Sequence, residues 1–205
     1  MLLPKHIFSV MLALWLTDGR DLSLQLDRAV PPVHPVNTQS LGMAVVEIQV
    51  NSTTGALDTR VLYGEAPFVT SALKALKQWR FHAPAGAEVS RTSVTFLFRP
   101  PAVYSLKPGS TLVRPWMPGE DWPALPQEVI DPGYPAASIV TGAVILAARI
   151  DAAGVVSGIE TVVGIGSLTE QARFAVKDWK FSPAIVSGER VPSTAFVVIS
   201  FVLPT

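Results

Sequence analysis

Trp179-Lys180-Phe181-Ser182-Pro183-Ala184 decides the architecture, because Trp79-Arg80-Phe81 stands one hundred residues earlier with Pro84-Ala85 behind it. The surroundings recur as well. Gly42 and Gly142 each open a run of apolar and β-branched residues, and Gly55 and Gly154 each close it. Internal repetition constrains a fold before any local reading does. Two copies of one small unit imply two domains, and neither copy carries a catalytic apparatus. The sequence therefore leans toward binding.

Outward from the triplets, each copy reads strand, strand, helix, strand. Ala44, Val46, Ile48 and Val50 alternate with Glu47 and Gln49, and Val144, Leu146, Ala148 and Ile150 take the same inward role. Period-two alternation of this length is a strand signal. Asn51-Ser52-Thr53-Thr54-Gly55 and Asp151-Ala152-Ala153-Gly154 are turn-rich links, so each pair is a hairpin. Phe68, Ala72, Leu76 and Trp79 then share one helical face behind Pro67, as do Leu168, Ala172, Ala175, Val176 and Trp179. Ser167 and Glu170 have capping-box spacing at the second helix start, and Pro84 and Pro183 enforce the exits.

The closing strands place Val94, Phe96 and Phe98 in one copy and Val197, Ile199 and Phe201 in the other. The predicted class is α+β: two repeats of a β-β-α-β unit, each a three-stranded antiparallel sheet with one helix packed on one face. Trp79, Phe81, Trp179 and Phe181 belong to the cores, while Arg80 and Lys180 point outward. The last strand departs from this pattern, since Phe196, Val198 and Val202 alternate with Val197, Ile199 and Phe201. An exposed sheet face should be polar. The first unit, a second copy of the chain or a ligand strand must cover it.

Pro31, Pro32 and Pro35 mark residues 20–34 as an extended lead-in, followed by the first unit at 35–99. Residues 100–126 hold seven prolines with Trp116 and Trp122, a stiff linker lying against a domain surface. The second unit occupies 127–205. At the head of the chain Lys5 and His6 precede the apolar run from Ile7 to Leu16, and Thr17 and Gly19 suit a cut after Gly19. That run is shorter than the ~20 residues of a membrane-crossing helix and has the length of a secretory h-region. Residues 1–19 read as a signal peptide, with a short anchor or a buried strand as the alternatives.

Composition narrows the function. With 49% hydrophobic and 16% charged residues the chain is core-rich and not disordered. Sixteen basic residues balance sixteen acidic ones with no basic patch, which argues against nucleic acid. Cysteine is absent, and His6, His34 and His82 make no converging ligand set. Gly164-Ile165-Gly166 lacks the third glycine and the Lys-Ser/Thr of a phosphate loop, and no nucleophile elbow occurs. No enzyme activity, metal, cofactor or small-molecule substrate is expected.

Tyr134-Pro135, Gly142, Ile150-Asp151-x-x-Gly154-x-Val156, Ala175-x-x-x-Trp179-x-Phe181, Pro183-Ala184, Gly188-x-x-Val191 and a terminal apolar strand together resemble the TonB C-terminal domain family. The resemblance covers residues 126–204. The first unit resembles a diverged copy, with Pro35, Gly42, Gly55, Trp79, Phe81, Pro84-Ala85, Gly86 and Val89, but with His34 in place of the tyrosine. It implies a periplasmic, non-enzymatic domain that takes a short peptide of an outer-membrane receptor or other envelope protein beside its last strand, by β-augmentation. The residues so implied are Asp131, Tyr134, Pro135, Thr194, Phe196, Val198, Ser200 and Val202. Self-association into a homodimer through the same strand is the alternative. The resemblance also implies export to the periplasm, with inner-membrane association left open. The family's Ser-x-x-x-His membrane motif and long Lys-Pro and Glu-Pro spacer are missing, so energy transduction by this chain alone is not expected.

Overall fold

The computed structural model describes residues 25–36, 38, 40–51, 54–82, 89–102 and 120–204. The readings made of residues 1–19, Pro84-Ala85, Gly86 and Trp116 lie outside the described residues. Within them the chain order is β1 (Gln25–Arg28), β2 (Gly42–Asn51), β3 (Leu57–Tyr63), α1 (Phe68–Leu76), β4 (Arg80–His82) and β5 (Val89–Phe98). It continues with β6 (Leu125–Glu128), β7 (Gly142–Ile150), β8 (Val156–Val163), α2 (Gly166–Lys177), β9 (Lys180–Ser182), β10 (Ala184–Val186), β11 (Glu189–Val191) and β12 (Ser193–Phe201).

The hairpins form where the turn chemistry places them. Asn51 Oδ1 accepts the Thr54 N–H at 2.9 Å, and Asp151 Oδ1 accepts the N–H groups of Ala153 and Val155 at 2.9 Å each. Gly154 sits at φ +87°, and a Cβ there would stand 1.9 Å from the Phe181 carbonyl oxygen. That contact doubles as a bond, because Phe181 N–H donates to the Gly154 carbonyl at 2.9 Å. Only glycine fits both the backbone angle and the close approach.

The helix start corrects one expectation. α2 begins at Gly166, so Ser167 falls inside the first turn and no side chain caps the N-terminus. The Ser167–Glu170 capping box is not made. Thr169 Oγ1 instead accepts the Ile165 N–H at 2.7 Å.

The long strands do not divide into two three-stranded sheets. They form one six-stranded sheet in the order β3-β2-β5-β12-β7-β8. β5 and β12 lie side by side and parallel, Val94 opposite Phe196 through Phe98 opposite Ser200, while every other neighbouring pair in this sheet is antiparallel. The two helices pack on opposite faces of this sheet, α1 on one side and α2 on the other.

The cores show this arrangement. On one face Leu76 and Trp79 of the first half pack with Phe96 and Phe98 of β5 and with Phe196 and Val198 of β12. On the other, Leu168, Val176 and Trp179 pack with Val197, Ile199 and Phe201 of β12 and with Leu97 of β5. The two-sided apolar pattern of the last strand is thus explained by helices above and below it. Full burial of one such side chain contributes roughly 1.5–3 kcal/mol. A third, smaller cluster has Trp122, Leu125 and Ile185 covering Val45, Met43 and Leu62 on the face of the first half that α1 leaves bare.

Each helix exit is tied to its own lead-in. β1 pairs with β4 and β6 with β9, both antiparallel. Trp79 Nε1–H donates to the Val30 carbonyl and Trp179 Nε1–H to the Ile130 carbonyl, both at 2.9 Å. Both indoles are 1% exposed, so these bonds satisfy the only polar atom of each ring. Among the described residues no helix is long and apolar enough to cross a membrane.

Candidate functional site

The structure gathers most of the expected binding residues at the seam between the halves. β12 pairs along its length with β7 on one side and with β5 on the other. Phe196, Val198 and Ser200 are buried, and the Thr194 carbonyl accepts the Thr92 hydroxyl proton from β5. Val202 lies just past the strand and is partly exposed. The edge expected to be open beside Thr194 to Leu203 is filled by this chain's own β5. A strand added there would have to displace it.

Asp131, Tyr134 and Pro135 sit in the segment leading into β7. Asp131 is fully buried and pairs with Arg99, whose Nη2 lies 3.2 Å from Oδ2. The Tyr134 hydroxyl donates to the Val140 carbonyl at 2.9 Å, and its ring meets Phe201 edge-on at 6.5 Å. Pro135 is partly exposed, and its carbonyl accepts the Ser138 N–H at 2.9 Å. These contacts hold the segment against the sheet.

Arg99 at the seam and Glu47 on β2 were not legible as paired groups in the sequence. The Arg99 N–H donates to the Ser200 carbonyl at 3.0 Å, which extends the parallel ladder, and its guanidinium lies 5.6 Å from the Phe201 ring centre. Glu47, read as an outward-facing polar residue, is fully buried beneath the segment carrying Trp122. Its charge is met by Arg60 at 2.6 Å and Arg91 at 4.0 Å, and the Arg60 guanidinium stacks 4.8 Å over the Trp122 ring. A carboxylate flanked by arginines on both neighbouring strands was the available signal.

His34 lies in the segment leading into β2 and packs against β5. Its ring meets Phe98 edge-on at 5.8 Å, Nδ1 lies 3.0 Å from Ser200 Oγ, and Nε2 lies 3.2 Å from Thr38 Oγ1. The Thr38 hydroxyl gives its proton to the Pro35 carbonyl at 3.1 Å. It therefore accepts from Nε2–H, which leaves Nδ1 to accept from Ser200, a neutral tautomer assigned from the network. Burial lowers the imidazole pKa in the same direction. Among the described residues no cluster of three or more His, Asp or Glu side chains could hold a metal ion.

Among the described residues, no strand lies beside either end of the sheet. Beside β8 a groove of about 850 Å³ runs against α2, lined by Pro135, Val156, Ile159, Arg173 and the well-exposed Phe174. Arg173 reaches across it and donates to the Ile159 carbonyl at 3.0 Å and to Thr161 Oγ1 at 3.2 Å. Beside β3 a groove of about 430 Å³ runs against α1, lined by Val50, Leu57, Leu73 and Phe81 with Lys77 and Arg80 at its rim.

Compared with known proteins, residues 132–203 match the family model of the Gram-negative bacterial TonB protein C-terminal. The match lies wholly in the second half of the chain. No curated protein and no solved structure matches the chain significantly.

Proposed function

With residues 132–203 identified as a TonB C-terminal domain, we propose that this is a non-enzymatic, TonB-like protein of the periplasm that takes an extended segment of an envelope transport protein into its sheet. Strand addition suits a sheet with free outer strands, because main-chain bonds supply affinity and alternate side chains supply selectivity. The observation that carries this reading is the six-stranded sheet itself, whose inner strands are satisfied and whose outer strands β3 and β8 have no further strand beside them among the described residues.

The first half is, in this proposal, a diverged copy of the domain that acts as its permanent partner. Its support is the paired geometry: Trp79 to Val30 and Trp179 to Ile130 are equal bonds, and His34 and Tyr134 both lie edge-on to the last phenylalanine of their halves. Titration of the full chain with extended peptides taken from TonB-dependent receptors tests the function. Saturable binding supports it, and no binding across a varied set sinks it.

A second reading, a scaffold that only self-associates, draws on the same outer strands. Light scattering on the eluting chain separates the two. A monomer with peptide affinity fits the first, and a stable dimer without it fits the second.

A further inference from the structure

The two ends of the sheet are not equivalent. β8 carries the devices that blunt an edge: register shifts near both of its ends, and an arginine from α2 bonded to the carbonyl of Ile159 in mid-strand. Bulges and charges placed against an edge strand discourage added strands. β3 has one register shift, confined to its Tyr63 end, and pairs regularly from Leu57 to Val61. The position in α1 that corresponds to Arg173 is Leu73, which cannot cap a carbonyl. Val61 and Tyr63 on this strand are 40% and 43% exposed, large apolar side chains at an edge with no further strand beside it among the described residues.

The electrostatics differ in the same sense. In the second half Glu128 and Lys180 face one another across β6 and β9 and form an ion pair at 2.8 Å. The first half puts Arg28 opposite Arg80 across β1 and β4. Like charges in register repel, and α1 adds Lys74 with no acidic residue of its own, followed by Lys77. All four cations are exposed, and among the described residues none has an ion-pair partner. Among the described acids of the first half, Asp27 on β1 has its own interaction, alternation sends Asp58 to the opposite face of β3 from the groove, and Glu65 stands before the other end of α1 from Lys74 and Lys77.

We propose that β3 is the docking edge, and that its ligand is an extended, acidic and apolar segment of another protein. The backbone of the segment pairs with Leu57–Tyr63. An apolar side chain enters the groove between Leu57, Leu73 and Phe81, and carboxylates meet Lys77, Arg80 and Arg28 at its rim. The excess of positive charge selects against basic segments, and the main-chain ladder selects against helical ones. This rests on the strand-addition reading above and adds the edge and the chemistry of the partner.

The test uses the full chain and two short labelled peptides, one alternating valine with glutamate and the other valine with lysine. Fluorescence anisotropy measures binding, and amide hydrogen exchange locates it. The expected result is binding of the glutamate peptide alone, with new protection confined to Leu57–Tyr63. Lys77→Glu with Arg80→Glu should weaken it about tenfold or more. Leu73→Arg, which transplants the α2 cap, adds a positive charge to the groove and should nevertheless weaken binding, because the new guanidinium occupies the β3 edge and fills the apolar groove. Protection appearing at β8 or β12 instead, or equal binding of the lysine peptide, overturns the β3 site while strand addition stands. Binding of neither peptide, together with failure of the receptor peptides, removes strand addition and this site with it.

Discussion

Arg99 and Asp131 form an ion pair with no exposure to solvent, joining the end of β5 to the segment that leads into β7. The Arg99 guanidinium also donates to the Ala102 carbonyl at 3.2 Å. The pair thus fastens the first half to the second from inside the protein. Removing one member leaves the other charge buried without compensation. Asp131→Ala should cost about 3–5 kcal/mol, whereas Arg99→Met combined with Asp131→Leu should be near neutral. Urea denaturation of the three proteins measures this, and an Asp131→Ala loss below about 1 kcal/mol would show that water reaches the pair.

Phe196 belongs to β12 yet packs against the aromatic residues of the other half, with ring centres 6.2 Å from Trp79 and 5.7 Å from Phe81. The halves therefore cannot melt independently. Phe196→Ala should destabilise by about 3–5 kcal/mol through the cavity it leaves. Tryptophan fluorescence and far-ultraviolet circular dichroism should still report one coincident transition. Two separated transitions in the parent protein would refute a shared core.

Gly154 and Gly188 both have positive φ, +87° and +83°, but they differ in surroundings. A Cβ at Gly188 meets nothing within 4 Å, while at Gly154 it collides with backbone. Gly188→Ala should cost about 1–2 kcal/mol for the left-handed angle alone. Gly154→Ala should cost distinctly more, because the Phe181 carbonyl must also move. Equal melting temperatures for the two variants would contradict the close approach.

His34 is held neutral, with its pKa lowered from about 6.5 by burial. The unfolded chain therefore binds the proton more readily than the folded one. Linkage then makes this contribution to stability complete above the unfolded value and progressively lost as the pH falls below it toward the folded pKa. Stability measured from pH 7.5 down to pH 5.5 should decline in the parent protein and decline less in His34→Gln. Identical slopes would mean that the imidazole is fully solvated.

Much of the local structure was legible because its causes are local. Alternation along Met43 to Val50 and Ala143 to Ile150, the turn residues after them and the apolar stripes ending at Trp79 and Trp179 each act within a few residues. The capping box at Ser167 and Glu170 failed for a local reason too, since the helix began two residues early and Thr169, not Glu170, accepts the cap residue's N–H. The join between β5 and β12 was not legible, because parallel pairing of strands so far apart leaves no spacing to read. The sequence showed only that β12 needed cover on both faces and left three candidates for it. Glu47 misled for a related reason: a carboxylate on the polar register of a strand reads as solvated until another segment covers that face. The candidate residues Thr194, Phe196, Val198 and Ser200 lie on β12, with Val202 just past it, and that strand is already paired on both sides.

Carrying both sides of the β5–β12 seam in one chain has a consequence for how that seam can vary. Where two identical chains meet, every substitution at the interface appears in both of them. Within a single chain it appears once, so Arg99 on one side of the seam can be matched by Asp131 on the other without a second change elsewhere. The association is also unimolecular and does not weaken on dilution, unlike that of a dimer. One half is then free to specialise its outer edge while the other keeps the scaffold intact.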